Sequence, residues 1–325
     1  MHKPNRLDSQ RRGDSSKVPK LLIEFREGDE VDPTTIFDKP IEDLEKVQLR
    51  KYFSWFSQSA FKKTEVTFGE TLGSLIGQFA ISEIEIRERK CGQFFHFGIC
   101  KKHRNISNII AFYKQSENKV KENKYNYIIA VPNKKSFLLN KRFLKMEDRL
   151  TLDIRVGVAL PRTSRRIVVS RAVDRADPFD ATRWIAGHLA PSECAEVVWD
   201  AETLAGRLGN PMQSYALHAT KDLALISSPR FFRGIPVVLL CSFHALPSEH
   251  VAPADVGALV AAAARFHRNP LFLYVGVNKA LPRLPGWPIP DRWRPSRMIV
   301  QVREMVPDAP RLELDRFESI DFDFA

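Results

Sequence analysis

The sequence predicts an α/β protein with mixed sheets, organised as two units of similar element order. Short apolar runs at strand spacing alternate with segments whose apolar residues recur at helical spacing. Composition changes near residues 150–160: residues 1–150 carry 19 Lys and 10 Arg, whereas 151–325 carry 2 Lys and 19 Arg. A length of 325 residues, 44% hydrophobic and 27% charged, is enough for two domains of roughly 150 residues. The expected organisation is a disordered basic tail over 1–19, a first unit over 20–158 and a second over 159–325.

In the first unit KLLIEF (20–25) reads as a strand. IEDLEKVQLRKYFSWF (41–56) reads as a helix, because Ile41, Leu44, Leu49, Tyr52, Trp55 and Phe56 fall on or near one face. From residue 62 the period changes to strand, turn at ETLGS, strand. Glu83 and Glu85 then alternate with Ile84 and Ile86, as on an exposed strand face. FFHFGI (94–99) is a strand, 108–124 a helix with a charged outer face, 125–133 a strand ended by Pro132, 137–146 a short helix, and RLTLDIRV (149–156) a closing strand.

The second unit echoes this order without residue-level self-similarity. Helices are predicted at 179–184 and 201–208, strands at 214–219 and 235–243, a helix at 254–269 and a strand at 270–278. A proline-rich connector (281–296) precedes strands at 297–305 and 316–324. In the connector Trp287 and Trp293, with Arg292, Arg294 and Arg297, suit either a rigid surface segment or a pocket for an anion.

Four cysteines (Cys91, Cys100, Cys194, Cys241) are too dispersed for a zinc ribbon or a disulfide framework, so free thiols in a reducing, cytoplasmic setting are expected. Apolar runs such as IPVVLLCSF fall short of the ~20 residues that a bilayer span requires. The net charge of +11 raises anionic partners, and the excess lies in residues 1–150, with 29 basic against 20 acidic residues. Aromatics Tyr113, Tyr125 and Tyr127 lie among the lysines, but no nucleic-acid-binding motif is present, so nucleic acid ranks behind a small anionic ligand.

The stretch CKKHRNISNIIAFY (100–113) concentrates that charge ahead of a helix. A helix N-terminus with unpaired N–H groups and nearby cations is an anion site, and in α/β folds ligands bind at the carboxyl ends of strands. A solvated charged loop is the alternative. His96 is a candidate base or a packed histidine, Cys100 a candidate activated thiol, and Asp321 with Asp323 an exposed acidic strand edge or half a metal site.

Strand, arginine-led loop, amphipathic helix, a strand ending in Val131-Pro132-Asn133, then Ser136 and a short helix resembles the GNAT (acyl-CoA N-acyltransferase) superfamily. The similarity is to its long bacterial branch with two acetyltransferase-like halves. The resemblance implies tandem GNAT-like halves with acetyl-CoA or another acyl-CoA as co-substrate. It implies pyrophosphate binding by Arg104, Asn105, Ile106, Ser107 and Asn108, with Asn133 and Ser136 beside the cofactor arm. The loop departs from the family's glycine-rich pattern, having no glycine after Arg104, and 138–146 has neither the tyrosine nor the Gly-Phe pair of the family. In 201–219, Arg207, Pro211 and Tyr215 match two-domain relatives, while Gly206 replaces a tryptophan.

Two functions follow from the resemblance. One is acyl transfer to an amine of a small molecule, sugar or lipid precursor, with His96 or water taking the amine proton. The other is a catalytically inactive protein of this fold that binds a partner or ligand.

Overall fold

The computed structural model of the chain describes residues 23–27, 43–71, 74–159, 166–189, 194–246, 251–294, 297–307 and 309–322. The tail expected at 1–19, the start of the strand expected at 20–25 and Asp323 lie outside the described residues.

The first part of the chain forms β1 (Glu24–Glu27), α1 (Asp43–Gln58), β2 (Lys63–Thr71), β3 (Ser74–Ile86), β4 (Arg89–Ile99), α2 (Ile106–Glu122), β5 (Tyr127–Ala130), α3 (Phe137–Phe143) and β6 (Glu147–Thr151). The first part ends with β7 (Asp153–Val158), and the second begins with β8 (Val169–Ala172), α4 (Pro178–Trp184), α5 (Ala201–Leu208) and β9 (Ala216–Ala219). It continues with β10 (Leu223–Phe232), β11 (Ile235–Ala245), α6 (Pro253–Phe266), β12 (Leu271–Asn278), β13 (Trp287–Pro288), β14 (Ile299–Glu304) and β15 (Arg316–Glu318). No helix among the described residues is long and apolar enough to cross a membrane.

The strands form two sheets, in the orders β1-β2-β3-β4-β5-β14-β6 and β8-β9-β10-β11-β12-β7-β13, with β15 paired to β12. Position by position the two orders correspond. Each has one parallel pair bridged by a long helix: β4 and β5 by α2, and β11 and β12 by α6. Each also receives its sixth strand from the other part of the chain. β7 pairs antiparallel with β12, and β14 pairs antiparallel with β5 and β6.

The single strand expected at 149–156 is therefore two strands in two sheets. Leu152 marks the crossover, fully buried, with its N–H donating to the Met298 carbonyl at 2.8 Å. A division of the chain at 158/159 is crossed by two exchanged strands. Arg149 fastens one of them, reaching both oxygens of Glu304 at 2.7 Å across the β6–β14 pair.

One apolar core spans both halves, joining Phe56, Phe95 and Tyr127 to Trp199, Leu239 and Phe317. Helix α5 packs closely enough on the end of α1 that a Cβ on Gly206 would lie 2.0 Å from the Ser59 carbonyl oxygen, so only glycine fits. Trp55 uses that approach, donating its indole N–H to the Gly206 carbonyl at 2.7 Å.

The sequence reading does not predict β8 or β10. Residues 223–228 of β10 are buried without alternation, so the run lacks the period-2 signature of a half-exposed strand. The helix expected at 137–146 ends at Phe143. The terminal strand expected at 316–324 is shorter, with Arg316–Glu318 leading into a 3-10 turn over Ser319–Asp321.

Candidate functional site

The parallel pair β4–β5 runs in register from Cys91↔Tyr127 to Phe94↔Ala130 and stops. Beyond it β4 continues to Ile99, while β5 turns away through Val131, Pro132 and Asn133. A bulge in the β3–β4 pair lies beside the parting. Between Ala80↔Phe95 and Gln78↔Gly98, His96 and Phe97 oppose the single residue Phe79, and His96 takes a left-handed φ of 49°.

The opening is a cleft of about 240 Å³. It passes through the sheet. Phe94, Phe97 and Leu144 line it from the core beneath α2 and α3, while Phe95, Met298 and Phe322 line it from the core shared with the second half.

At the mouth, on the carboxyl side of both strands, stand the residues that the sequence singled out. Cys100 is tied by its N–H to the Ile76 carbonyl, and Lys101–His103 form a 3-10 turn. Asn105 is the N-cap of α2, its side-chain oxygen accepting the Asn108 N–H at 2.9 Å, and the Asn108 side chain donates to the His103 carbonyl at 2.8 Å. The N–H groups of exposed Ile106 and Ser107 have no partner among the described residues. Arg104 folds back, its Nε and Nη2 donating to the Ile99 carbonyl at 3.2 and 2.8 Å.

Asn133 forms an Asx turn, its side-chain oxygen accepting from the N–H groups of Lys135 and Ser136 at 2.9 and 3.0 Å. Ser136 precedes α3 without a capping bond from its side chain to that helix. Asn133, Ser136 and His96 all line the cleft, whereas Arg104, Asn105, Ile106, Ser107 and Asn108 stand outside its lining, at the mouth.

The His96 ring is packed edge-on against Tyr52, Phe53 and Phe56 of α1, and its Nε2 lies 3.2 Å from the Tyr52 hydroxyl. Other lining residues carry no sequence signal. Asn140 is one: its Oδ1 accepts the hydroxyl of Tyr113 of α2, not itself a lining residue, at 2.8 Å, and burial pushes that phenol well above its usual range, so it remains a donor. Gln93, 1% exposed, donates Nε2 to the Asp321 carbonyl at 2.8 Å, while its Oε1 has no partner. Met298 and Phe322 lie far away in sequence and reach the cleft through the strand exchange and the C-terminal segment. A glutamine within an aromatic strand is the one local hint.

The corresponding place in the second half is filled. The parallel pair β11–β12 ends at Leu240↔Tyr274, again next to a bulge, and β15 then pairs with β12 at Gly276↔Glu318. Glu318 occupies the gap, accepting the Phe243 N–H at 2.9 Å and the Asn278 side-chain N–H at 3.3 Å. Gly276, at φ 149°, permits this: a Cβ there would lie 2.7 Å from the Phe317 carbonyl oxygen.

Around the plug Arg316 bonds Glu196 at 2.6 Å and His244 Nδ1 at 2.8 Å. Asp321 accepts the Trp199 indole N–H and the Glu318 N–H, both at 2.7 Å. Arg207 holds the Ile320 and Phe322 carbonyls at 3.0 Å each. Asp321, expected on an exposed edge, is thus fully buried, because its carboxylate terminates the 3-10 turn and meets Trp199. Burial raises the Glu318 carboxyl to about 8 despite the opposing pull of Arg316.

Among the described residues no group of His, Cys, Asp and Glu is placed to hold a metal ion. The expected pair Glu83 and Glu85 lies on the exposed side of β3, with Lys90 pairing Glu83 at 3.0 Å.

No protein-family model matches the chain, and no curated protein matches it by sequence. Solved structures do. A probable N-acyltransferase from Enterococcus faecalis V583 is similar at TM-score 0.58 and 11% identity, over 87% of this chain and 72% of that one. A tandem GNAT protein from the clavulanic acid biosynthesis pathway is similar at TM-score 0.51 and 10% identity, over 89% and 100%. Saccharomyces cerevisiae N-myristoyltransferase with bound myristoyl-CoA is similar at TM-score 0.52 and 10% identity, over 99% and 85%. The chain has the GNAT fold in two tandem halves.

Proposed function

We propose that this protein is an acyl-CoA-dependent N-acyltransferase with a single site, the cleft between β4 and β5. The observation that carries the reading is the contrast between the two parallel pairs. Strands that part around an open cleft in one half part around the chain's own Glu318 in the other. An acetyltransferase fold and a neighbour with bound myristoyl-CoA support acyl-CoA as the co-substrate.

In this reading the diphosphate of the co-substrate lies at the mouth, against the Ile106 and Ser107 N–H groups and the positive end of α2. Asn105 holds the first turn rigid, and Arg104 anchors the loop to the end of β4 while adding its charge. The missing loop glycines are compensated by small polar residues, since Asn108 and Ser107 leave room beside the backbone. Asn133 and Ser136 shape the other lip.

The thioester then lies between the parted strands, where water is largely excluded by Phe94, Phe95 and Val131. The amine enters from the face lined by Met298 and Phe322 and attacks the carbonyl carbon. The C–N bond forms, the C–S bond breaks and the thiolate leaves toward Asn140. The ammonium proton goes to His96 or to water. His96 is held for this by Tyr52, and a tautomer that donates from Nε2 to that hydroxyl carries its basic lone pair on Nδ1. The acceptor is an amine of a small molecule, sugar or lipid precursor.

A second reading, an inactive binding protein of the same fold, is favoured by the absence of a tyrosine in 138–146 and by the capped Asn108 N–H. Thiol release from acetyl-CoA, followed colorimetrically over a panel of primary amines, separates the two. The transferase reading predicts amine-dependent release that Ala130→Trp, which fills the cleft, abolishes. Binding of acetyl-CoA with no release for any amine supports the inactive protein instead.

A further inference from the structure

Gln93 occupies an unusual position. It is paired in β4 one residue before the strands part, opposite Ile129, and it lines the cleft. Its Nε2 donates to a carbonyl, that of Asp321, so the amide has only one orientation and Oε1 is the atom left over. Among the described lining residues, Gln93 alone has a buried side-chain oxygen with no hydrogen-bond partner. Native proteins rarely leave such an acceptor unpaired, because each unmade bond costs free energy.

The direction of the cleft says what reaches this atom. β4 and β5 open toward their carboxyl ends, where α2 begins and where the 133–136 turn stands. A CoA thioester with its phosphates at that mouth points its acyl end at the apex, next to Gln93. The surroundings there are otherwise apolar: Phe94, Phe95, Ala130 and Met298. An unbranched alkyl end satisfies those walls but leaves Oε1 unmade.

We propose that the cleft is specific for a short acyl group bearing a hydrogen-bond donor, a hydroxyl or an amine, and that Gln93 Oε1 receives this donor. The inference rests on the reading that acyl-CoA occupies the cleft. Sites built to pair a substrate hydroxyl reject the analogue lacking it far more strongly than apolar pockets reject a methylene. Gln93 is thus a specificity-determining residue, with Asp321 as the group that positions it.

The test is calorimetric titration of the full chain with lactoyl-CoA and 3-hydroxybutyryl-CoA against propionyl-CoA and butyryl-CoA. The expected result is at least tenfold tighter binding of one hydroxyacyl thioester than of its unsubstituted counterpart, a preference that the similarly sized Gln93→Met removes while binding of butyryl-CoA persists. Equal or weaker binding of both hydroxyacyl thioesters by the unmutated protein overturns the proposal and leaves the cleft as an acyl-CoA site. A preference that survives Gln93→Met overturns the role of Gln93. Failure of all four thioesters to bind overturns the underlying reading as well. The comparison within the unmutated protein stands even if the variant does not fold.

Discussion

The two halves share a strand order, a bulge beside the parallel pair and a bridging helix, yet they use the same gap in opposite ways. In the first half the gap is an open cleft lined by aromatic and amide side chains. In the second it contains a buried carboxyl that bonds the very N–H, that of Phe243, which strand parting exposes. Parting a parallel pair leaves backbone donors without partners, and such donors must be satisfied by ligand, water or protein. The second half satisfies one of them with its own carboxyl, and the proposed function assigns that part in the first half to a ligand.

The largest loss of stability is expected at Arg316. It is 5% exposed and faces Glu196, His244 and Asp321, so Arg316→Leu leaves Glu196 and Asp321 without their counter-charge. Unpairing a buried charge of this kind costs about 3–5 kcal/mol. Urea denaturation should show that loss, and a change under 1 kcal/mol would mean that the plug does not hold the second half together.

The buried carboxyl also makes stability depend on pH. Folding keeps the Glu318 proton up to about 8, above its ordinary 4.5, so the native state binds more protons than the unfolded chain over that window and loses stability as pH rises. Between pH 6.5 and 8 this amounts to roughly 2 kcal/mol at about 1.4 kcal/mol per pH unit, and Glu318→Gln should flatten the slope. On the acid side, burial and the neighbouring His267 lower His218 to about 3, and burial with Arg316 and His188 lowers His244. These histidines stay neutral in the fold, so stability is lost as pH falls below 6.5. Thermal melts from pH 4.5 to 8 read both limbs.

The exchanged strands give a smaller effect. Arg149→Ala removes the contact from Nη2 to both Glu304 oxygens that fastens β14 in the first sheet and should cost about 2 kcal/mol, since hydrogen bonds between charged groups are stronger than neutral ones. Asn105→Ala removes the cap of α2 and should cost about 1 kcal/mol. Because it also frees the Asn108 N–H, it should not weaken acetyl-CoA binding, and a tenfold loss of affinity would place Asn105 itself in the site.

Much of the first half was legible because its elements are amphipathic: Tyr52, Trp55 and Phe56 mark one face of α1, and 108–124 marks α2. The start of α2 was legible too, since a charged run ahead of a helix is a local pattern. The cleft wall was not. Met298, Phe322 and the carbonyl that orients Gln93 come from the other end of the chain, and no local period encodes an exchange of strands. The same holds for Asp321, whose alternation with Asp323 suggested an exposed edge. Its burial depends on Trp199, a partner 122 residues away. Central strand β10 escaped because a fully buried run carries no alternation.

The stoichiometry of acetyl-CoA binding tests the contrast between the halves most directly. Calorimetry on the full chain should give one site per chain, abolished by Ala130→Trp at the first cleft and unchanged in affinity by Glu318→Gln at the second. Two sites per chain, or binding that survives Ala130→Trp, would contradict the account.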